Sequence, residues 1–145
     1  MQSQSTSDSK VCVLIDAHML GHQETGNETY VLNLLRQWVT FADVGIELRG
    51  AIPKRYTTEP SWAFRAVHLA HESDLHRLVR GLPKLARRSS ADLLHVTYHA
   101  PFWSRHPYVV TIHDASYRTH WRHHRPRNVL IQNVLGAFSA WRARA

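Results

Sequence analysis

The sequence of 145 residues is long enough for one domain with a hydrophobic core, supplied by its 43% hydrophobic residues, and too short for two. No stretch approaches the roughly 20 uninterrupted apolar residues of a membrane-spanning helix, so we expect none. The single cysteine, Cys12, cannot form an internal disulfide, which favours a reducing, cytoplasmic location. Residues 1–9 are polar, without a basic start or an apolar run, and are predicted to be a disordered tail rather than a signal peptide.

The chain is basic, with 18 lysines and arginines against 11 aspartates and glutamates and a formal net charge of +7. From Arg105 onward, arginines recur while Asp114 is the one acidic residue. This asymmetry indicates either an anionic partner (nucleotide phosphates, anionic lipid or nucleic acid) or a face that an acidic domain would cover. The charge alone does not distinguish between these partners.

The first half of the chain alternates between strand and helix patterns. The short apolar run 10–16 is rich in β-branched residues and ends in an acid, Asp16, which is typical of a buried parallel strand. After a polar loop with two glycines, apolar residues recur at helical spacing and predict a helix over 27–42. A second strand is predicted over 45–52, and a variable loop, 54–63, follows it.

The second half continues the alternation. Strands are predicted at 64–70, 92–98 and 108–113, and helices at 72–88 and 126–144. We expect Gly81 and Pro83 to interrupt the first of these helices. The pattern predicts one α/β domain over 10–145, with a parallel sheet and helices on both faces. Because ligands bind beyond the carboxyl ends of the strands in such sheets, the residues that follow each strand are the candidates for a site.

Gly21, Gly26 and Asn27 lie between the first predicted strand and the first predicted helix. A glycine-bearing loop lets the backbone approach a ligand, and a helix N-terminus offers free N–H groups to a phosphate or a sugar hydroxyl. The spacing is not G-x-G-x-x-G, which argues against a dinucleotide cofactor. The alternative is that both glycines only form turns.

His113 and Asp114 end the fifth predicted strand. An imidazole at the mouth of the sheet can orient or polarise a ligand, and an adjacent carboxylate can fix its tautomer or bind a hydroxyl. Tyr98 and His99 follow the fourth strand and are expected at the same edge, whereas His95 is expected to point into the packing between sheet and helix. A purely structural role for the His–Asp pair is the alternative.

His120, His123 and His124 lie close together in the sequence, and imidazoles at such spacing can share a metal ion. No H-E-x-x-H motif and no cysteine pair accompanies them. The arginines around them oppose cation binding, so neither a metal nor another cofactor is predicted.

Segment 75–88 alternates leucines with basic residues at helical spacing. Such a segment can lie on an anionic membrane surface, which would place the protein at the inner face of the membrane. The alternative is a helix whose leucines pack into the core and whose charges face solvent.

Four segments together carry a resemblance to a known family. They read IDAHML at 15–20, TGNETYVLNLL at 25–35, DLLHV at 92–96 and VVTIHD at 109–114. With these segments in this order, the chain from Val11 onward resembles the N-terminal domain of family 4 retaining glycosyltransferases, particularly bacterial mannosyltransferase-like members.

The resemblance implies the N-terminal half of a GT-B fold, in which two Rossmann-like domains face each other across a cleft. It implies transfer of a hexosyl group, with mannosyl as one choice, from a nucleotide-sugar donor to a glycan or lipid acceptor, generally without a bound metal. In the family, the loop glycine approaches the donor diphosphate and the acceptor, which matches Gly26 with Asn27, and less closely Gly21. The histidine that ends the fifth strand contacts the donor sugar, which matches His113, followed by Asp114.

Most of the family's nucleotide site lies in its second, C-terminal domain, which we expect to be absent here. The resemblance therefore implies that this chain does not transfer a sugar alone. One alternative is a basic module that binds anionic polymers, although no recognisable nucleic-acid motif supports nucleic acid as the partner. Another is a half-enzyme completed by a separate C-terminal chain, with an apolar patch around Phe138 and Trp141 as the contact.

Overall fold

The computed structural model describes residues 10–22, 25–38, 45–58, 64–71, 73–113 and 116–144. The predicted disordered tail, 1–9, lies outside these residues. The described elements are, in chain order, β1 (Val11–Asp16), α1 (Thr25–Gln37), β2 (Ile46–Ile52), β3 (Arg65–His68), α2 (Asp74–His76), a π-helical turn (Arg77–Gly81), α3 (Leu82–Arg88), β4 (Leu93–Thr97), β5 (Tyr108–Thr111), α4 (Ser116–Thr119), a 3₁₀ turn (Trp121–His123) and α5 (Pro126–Arg142).

The strands form one five-stranded, all-parallel sheet in the order β3-β2-β1-β4-β5. In the centre, Ile15 of β1 lies opposite Gly50 of β2 and His95 of β4. The chain leaves β1 towards β2 on one side and later crosses to β4 on the other. The boundary between β1 and β4 is therefore the point where the strand order reverses, at which open α/β sheets bind ligands.

Helices cover both faces of the sheet, as predicted, because β1 is apolar on both of its sides. Val13 and Ile15 pack in one buried cluster with Leu35 of α1. Leu14 packs in a second cluster, on the opposite face, with Leu82 of α3. These two cores confirm an α/β, Rossmann-like fold.

Most predicted elements are present with different ends. The first helix begins at Thr25 instead of at residue 27 and ends at Gln37, followed by Trp38 in a 3₁₀ turn. The rest of its predicted range, 39–42, lies outside the described residues. The strands predicted to end at residues 70, 98 and 113 end at His68, Thr97 and Thr111, and the last helix ends at Arg142.

The interruption predicted near Gly81 and Pro83 takes the form of a π-helical turn that ends at Gly81, after which the helix continues through Pro83. A proline lacks the N–H donor of a regular turn, and its ring clashes with the carbonyl four residues earlier. Here the N–H of Leu82 donates to the carbonyl of Arg77, five residues earlier, so the turn is widened by one residue. The widened turn leaves both Arg77 and Leu78 buried.

The cationic segment 75–88 packs its apolar side into the core. Leu78 and Leu82 are buried in the cluster on the β1 face opposite α1, while Arg80, Lys84 and Arg87 are exposed. This arrangement is a core helix with a charged outer face, and membrane contact through this segment stays a prediction. None of the helices in the described ranges is long and apolar enough to cross a bilayer.

Helix α5 is fixed to the sheet through Ser139, a buried residue near its end. The Ser139 hydroxyl accepts from the N–H of Ala100 at 2.9 Å, and the Ser139 carbonyl accepts from the Tyr108 hydroxyl at 2.9 Å. Ala100 lies after β4 and Tyr108 begins β5, so one serine connects α5 to both strands. The first half of α5 is thereby held close to the carboxyl edge of the sheet.

Candidate functional site

A cleft of about 970 Å³ lies at the carboxyl ends of β1 and β4, beside the first half of α5. Its lining includes His18 after β1, Arg77 of the π-helical turn, Thr97 at the end of β4, and His99 after it. The position is the reversal point of the strand order, and the size is at the upper end of the range of about 300–1,000 Å³ usual for small-molecule sites. This cleft is the candidate site.

The floor of the cleft is held by a buried ion pair between Asp16, the last residue of β1, and Arg77. The carboxylate of Asp16 binds Nη1 of Arg77, and both side chains are almost completely buried. Nη2 of Arg77 donates to Asp74 Oδ1 at 3.1 Å, and Nδ1 of His18 lies 3.1 Å from Asp16 Oδ1. A buried charge is stable only beside an opposite charge. The position of Asp16 at the end of β1 therefore determines where Arg77 has to lie.

These contacts keep Asp16 ionised. Burial by itself would raise the pKa of Asp16, but the Arg77 guanidinium, together with His18, outweighs burial and lowers this pKa below its ordinary value of 3.8. The cleft floor therefore has two carboxylates, Asp16 and Asp74, facing the Arg77 guanidinium and the His18 imidazole, whose Nδ1 lies 3.1 Å from Asp16 Oδ1 and whose Nε2 lies 3.9 Å from Asp74 Oδ1. Among the described lining residues there is no second lysine or arginine. The floor carries no surplus positive charge of the kind that binds a phosphate.

Three lining side chains have buried polar atoms for which the described residues supply no hydrogen-bond partner: Arg77 Nε, Thr97 Oγ1 and His99 Nε2. Arg77 and Thr97 are each only 4% exposed. Buried polar atoms are normally paired, and an unpaired one is costly. None of the three is accessible to solvent in this structure, so a ligand or a water molecule would pair with them only after a side-chain rotation. Burial, followed by the nearby Arg77, lowers the pKa of His99 below 6.5, which leaves its imidazole uncharged at pH 7.

One side of the cleft is largely apolar, with Gln132, a hydrogen-bond partner of His99, as its polar residue. It is formed by Leu75 of α2 and by Leu130, Val134 and Leu135 of α5. Leu75, Leu130 and Val134 are more than half exposed. The cleft therefore combines a polar floor with an apolar wall.

A second group of aromatic and imidazole side chains lies at the neighbouring strand end. The rings of Tyr30 and His113 are 4.3 Å apart and those of Tyr98 and His113 are 5.8 Å apart, both edge to face. Thr111 Oγ1 lies 3.2 Å from the Tyr30 hydroxyl and 2.9 Å from His95 Nε2. His95 thus packs between the sheet and α1, as predicted. Burial, followed by His113, lowers the pKa of His95.

The structure brings together some of the residues predicted from the sequence. Asn27, Tyr98 and His99 line the cleft. His113 borders it through the Tyr98 ring, which separates the exposed imidazole from the cleft. Asp114 lies outside the described residues.

The two glycines are not among the described residues that line the cleft. Gly21 has a φ of +81°, which favours glycine, and its N–H donates to Glu28 Oε1 at 2.6 Å. Gly26 lies exposed in the first turn of α1, with no atom within 4 Å of the place where a Cβ would be. The placement of Gly21 fits the turn-forming alternative, whereas Gly26 is part of α1 and forms no turn.

Sequence reasoning did not select Asp16, Arg77, Asp74 or Thr97 as site residues. Asp16 gave a signal, because an acid that ends a buried strand needs a cation nearby. Arg77 gave no such signal, because regular helical spacing would place it on the same exposed side as the other basic residues of segment 75–88. The unpaired hydroxyl of Thr97 follows from the packing around it and has no sequence signature.

None of the three histidines considered for a metal site lines the cleft, although the ring of His124 lies 4.3 Å from that of Tyr117, which does. His120 and His123 are exposed, and their ring centroids are 6.5 Å apart. Within the described ranges, no group of three or more histidine, cysteine, aspartate or glutamate residues is placed to hold a metal ion.

The chain was compared with models of protein families, with curated proteins and with solved structures, and no significant match was found in any of the three. The family resemblance carried by the four sequence segments therefore stays a prediction. The fold and the geometry of the cleft are the basis for a functional proposal.

We expect replacement of Asp16 by asparagine to lower the free energy of unfolding by about 3–5 kcal/mol, because it leaves the buried Arg77 without its main partner. Urea denaturation of the purified variant measures this. The matched control is Glu47→Gln, which breaks the more exposed contact with Arg49 at 2.7 Å and should cost less than about 1 kcal/mol.

A double variant, Asp16→Asn with Arg77→Met, removes both buried charges and should recover most of the lost stability. If the double variant were as unstable as Asp16→Asn alone, the uncompensated charge of Arg77 would not be the cause of the lost stability. Double-mutant analysis of the four proteins separates the two explanations.

We expect the free energy of unfolding to decrease as the pH falls below about 6.5. The pKa values of His95 and His99 are lowered from 6.5 in the folded protein, so the unfolded chain binds protons more readily below that pH. Each histidine contributes stability that is fully present above 6.5 and is lost as the pH falls through its lowered pKa, with a slope of at most about 1.4 kcal/mol per pH unit. Asp16 adds a further loss below 3.8.

Urea denaturation between pH 7.5 and 5 measures this slope. The variants His95→Gln and His99→Gln should each make it shallower, and the exposed His123→Gln serves as the matched control. Stability that increases on acidification would contradict the prediction.

Proposed function

We propose that this chain is the N-terminal, acceptor-side domain of a retaining GT-B glycosyltransferase, which moves a hexosyl group from a nucleotide sugar to a glycan or lipid acceptor. The observation that carries the proposal is the cleft at the carboxyl ends of β1 and β4, with unpaired buried polar atoms on its floor and His113 at its border. Ligand sites of Rossmann-like domains lie at this edge.

The chemistry of the floor suits hydroxyl groups. A sugar hydroxyl both donates and accepts, so it can bind the Arg77 Nε–H, the Thr97 hydroxyl and either tautomer of His99. Asn27, in the first turn of α1, adds an amide with both donor and acceptor atoms to the same cleft. These groups support an acceptor sugar as the ligand.

His113 supports the reacting side of the proposal. Its imidazole is exposed after β5, and the Tyr30 and Tyr98 rings fix its position from two directions. In the family that the chain resembles, the matching histidine contacts the donor sugar near the reacting carbon. The contribution of His113 would be positioning and electrostatic stabilisation, not proton removal.

The donor diphosphate would be bound mainly by a second domain. Within the described cleft, Asp16 and Asp74 already neutralise Arg77, so no free cation faces a diphosphate. A separate chain could supply the second domain, because α5 exposes Trp141, which lies outside the cleft and is 82% exposed. Phe138, predicted as part of this patch, is half-buried against Phe102, with ring centroids 5.7 Å apart.

The test is to read the gene past the codon for Ala145, express the product, and assay sugar transfer from a panel of nucleotide sugars. We expect an active product only when a second domain is present, and no turnover by the 145-residue chain. In the active protein, His113→Ala should lower kcat by about a hundredfold or more. The exposed His123→Ala is the matched control. Turnover by the 145-residue chain, or equal activity of the two variants, would contradict the proposal.

A second function has one observation in its favour. Arg118, Arg122 and Arg125 are exposed around Trp121, whose ring lies 5.3 Å below the Arg122 guanidinium. An exposed aromatic among basic residues is typical of surfaces that stack and bind single-stranded nucleic acid.

This second function predicts that the affinity for a single-stranded oligonucleotide falls steeply with salt, with a log–log slope of roughly 0.7 for each phosphate contact. Arg122→Gln should reduce the slope by about that amount, because it removes one contact. Arg36→Gln, an exposed arginine on α1, is the matched control. Equal slopes for the two variants would exclude this surface.

A further inference from the structure

We propose that the cleft between β1, β4 and α5 binds an amphipathic glycoside, with an uncharged hydroxylated head on its polar floor and an apolar chain along its α5 wall. As a statement about the acceptor of a transfer reaction, this rests on the proposed function. As a statement about what the cleft binds, it stands on the geometry alone.

The floor determines the chemistry of the head. Arg77 Nε can only donate a hydrogen bond, while the Thr97 hydroxyl and the His99 ring can each donate or accept. An ammonium group has no acceptor to offer Arg77, and a purely apolar group would leave all three atoms unpaired. A head with several hydroxyls offers a partner to each of the three, once a side-chain rotation opens these atoms to the cleft.

The charges of the floor exclude an anionic head. Nη1 of Arg77 binds Asp16 and Nη2 binds Asp74, so two carboxylates surround the one guanidinium. A phosphate or carboxylate on this floor would meet these two carboxylates, and the basic side chains there, Arg77 and His18, already contact them. The head is therefore a neutral sugar or polyol.

The wall determines the second part of the ligand. Leu130 is 66% exposed and Val134 is 56% exposed, four residues apart on the side of α5 that lines the cleft. Leu75 of α2 also lines the cleft. These side chains are next to the polar floor inside one cavity, and a cavity of about 970 Å³ has room for a head and a chain together. An apolar chain attached to the head would cover them.

The experiment uses the 145-residue chain and three probes in isothermal titration calorimetry: n-octyl β-D-glucoside below its micelle-forming concentration, D-glucose, and n-octyl phosphate. We expect saturable one-to-one binding of octyl glucoside, with glucose and octyl phosphate each about tenfold weaker or more. Glucose lacks the chain, and octyl phosphate replaces the neutral head by an anion.

Paired variants locate the binding. Thr97→Val should weaken octyl glucoside binding by roughly two- to tenfold, because one hydrogen bond is lost, while the exposed Thr57→Val should not change it. Val134→Ser should weaken octyl glucoside but leave glucose unaffected, and Trp141→Ser, on α5 outside the cleft, should change neither. Circular dichroism verifies that each variant is folded.

Three results would each overturn the inference: no saturable binding of octyl glucoside, equal affinity for octyl phosphate, or an equal effect of Val134→Ser and Trp141→Ser. The last would show that octyl glucoside binds the exposed apolar residues of α5 in general and not the cleft. The assay needs neither donor nor transfer. A chain that binds octyl glucoside as expected, but whose longer gene product transfers no sugar, would refute the proposed function and leave this inference intact.

Discussion

The ion pair between Asp16 and Arg77 is the contact on which the candidate site depends. It connects the last residue of the central strand to the helix that crosses the sheet, and both side chains are buried. Because neither charge is stable there without the other, the pair fixes the helix against the carboxyl edge of the sheet. Asp74, His18 and the polar atoms of the cleft floor take their positions from this one contact.

The fold could be predicted from the sequence because a parallel strand covered on both faces is a continuous apolar run, and β1 is such a run. The edge of the sheet that carries the site could also be predicted, and Tyr98, His99 and Asn27 lie there. Arg77 could not be predicted, since its burial depends on a turn that departs from regular helical spacing. The unpaired state of Thr97 could not either, because it depends on the residues packed around it.

The distribution of charge in the fold differs from what the composition indicates. The chain has a formal charge of +7, yet on the floor of the cleft two carboxylates face one guanidinium and one imidazole. The surplus cations lie on outer surfaces, among them Arg80 and Lys84 on the crossing helix and Arg122 and Arg125 before α5. The net charge therefore reflects the outer surface of this protein and does not indicate the charge inside the cleft.

The π-helical turn has a consequence for how the segment tolerates changes in length. One extra residue in a helix turns everything before it by about 100° relative to everything after it. In this protein the residues before the turn, with Asp74, face the cleft, while those after it, with Leu82, face the core. Deletion of a single residue between them would rotate Asp74 and Arg77 away from Asp16 while α3 stayed in place. The ring of Pro83 favours the wide turn. Pro83 therefore determines how Asp74 and Arg77 are rotated about the helix axis, although it does not line the cleft.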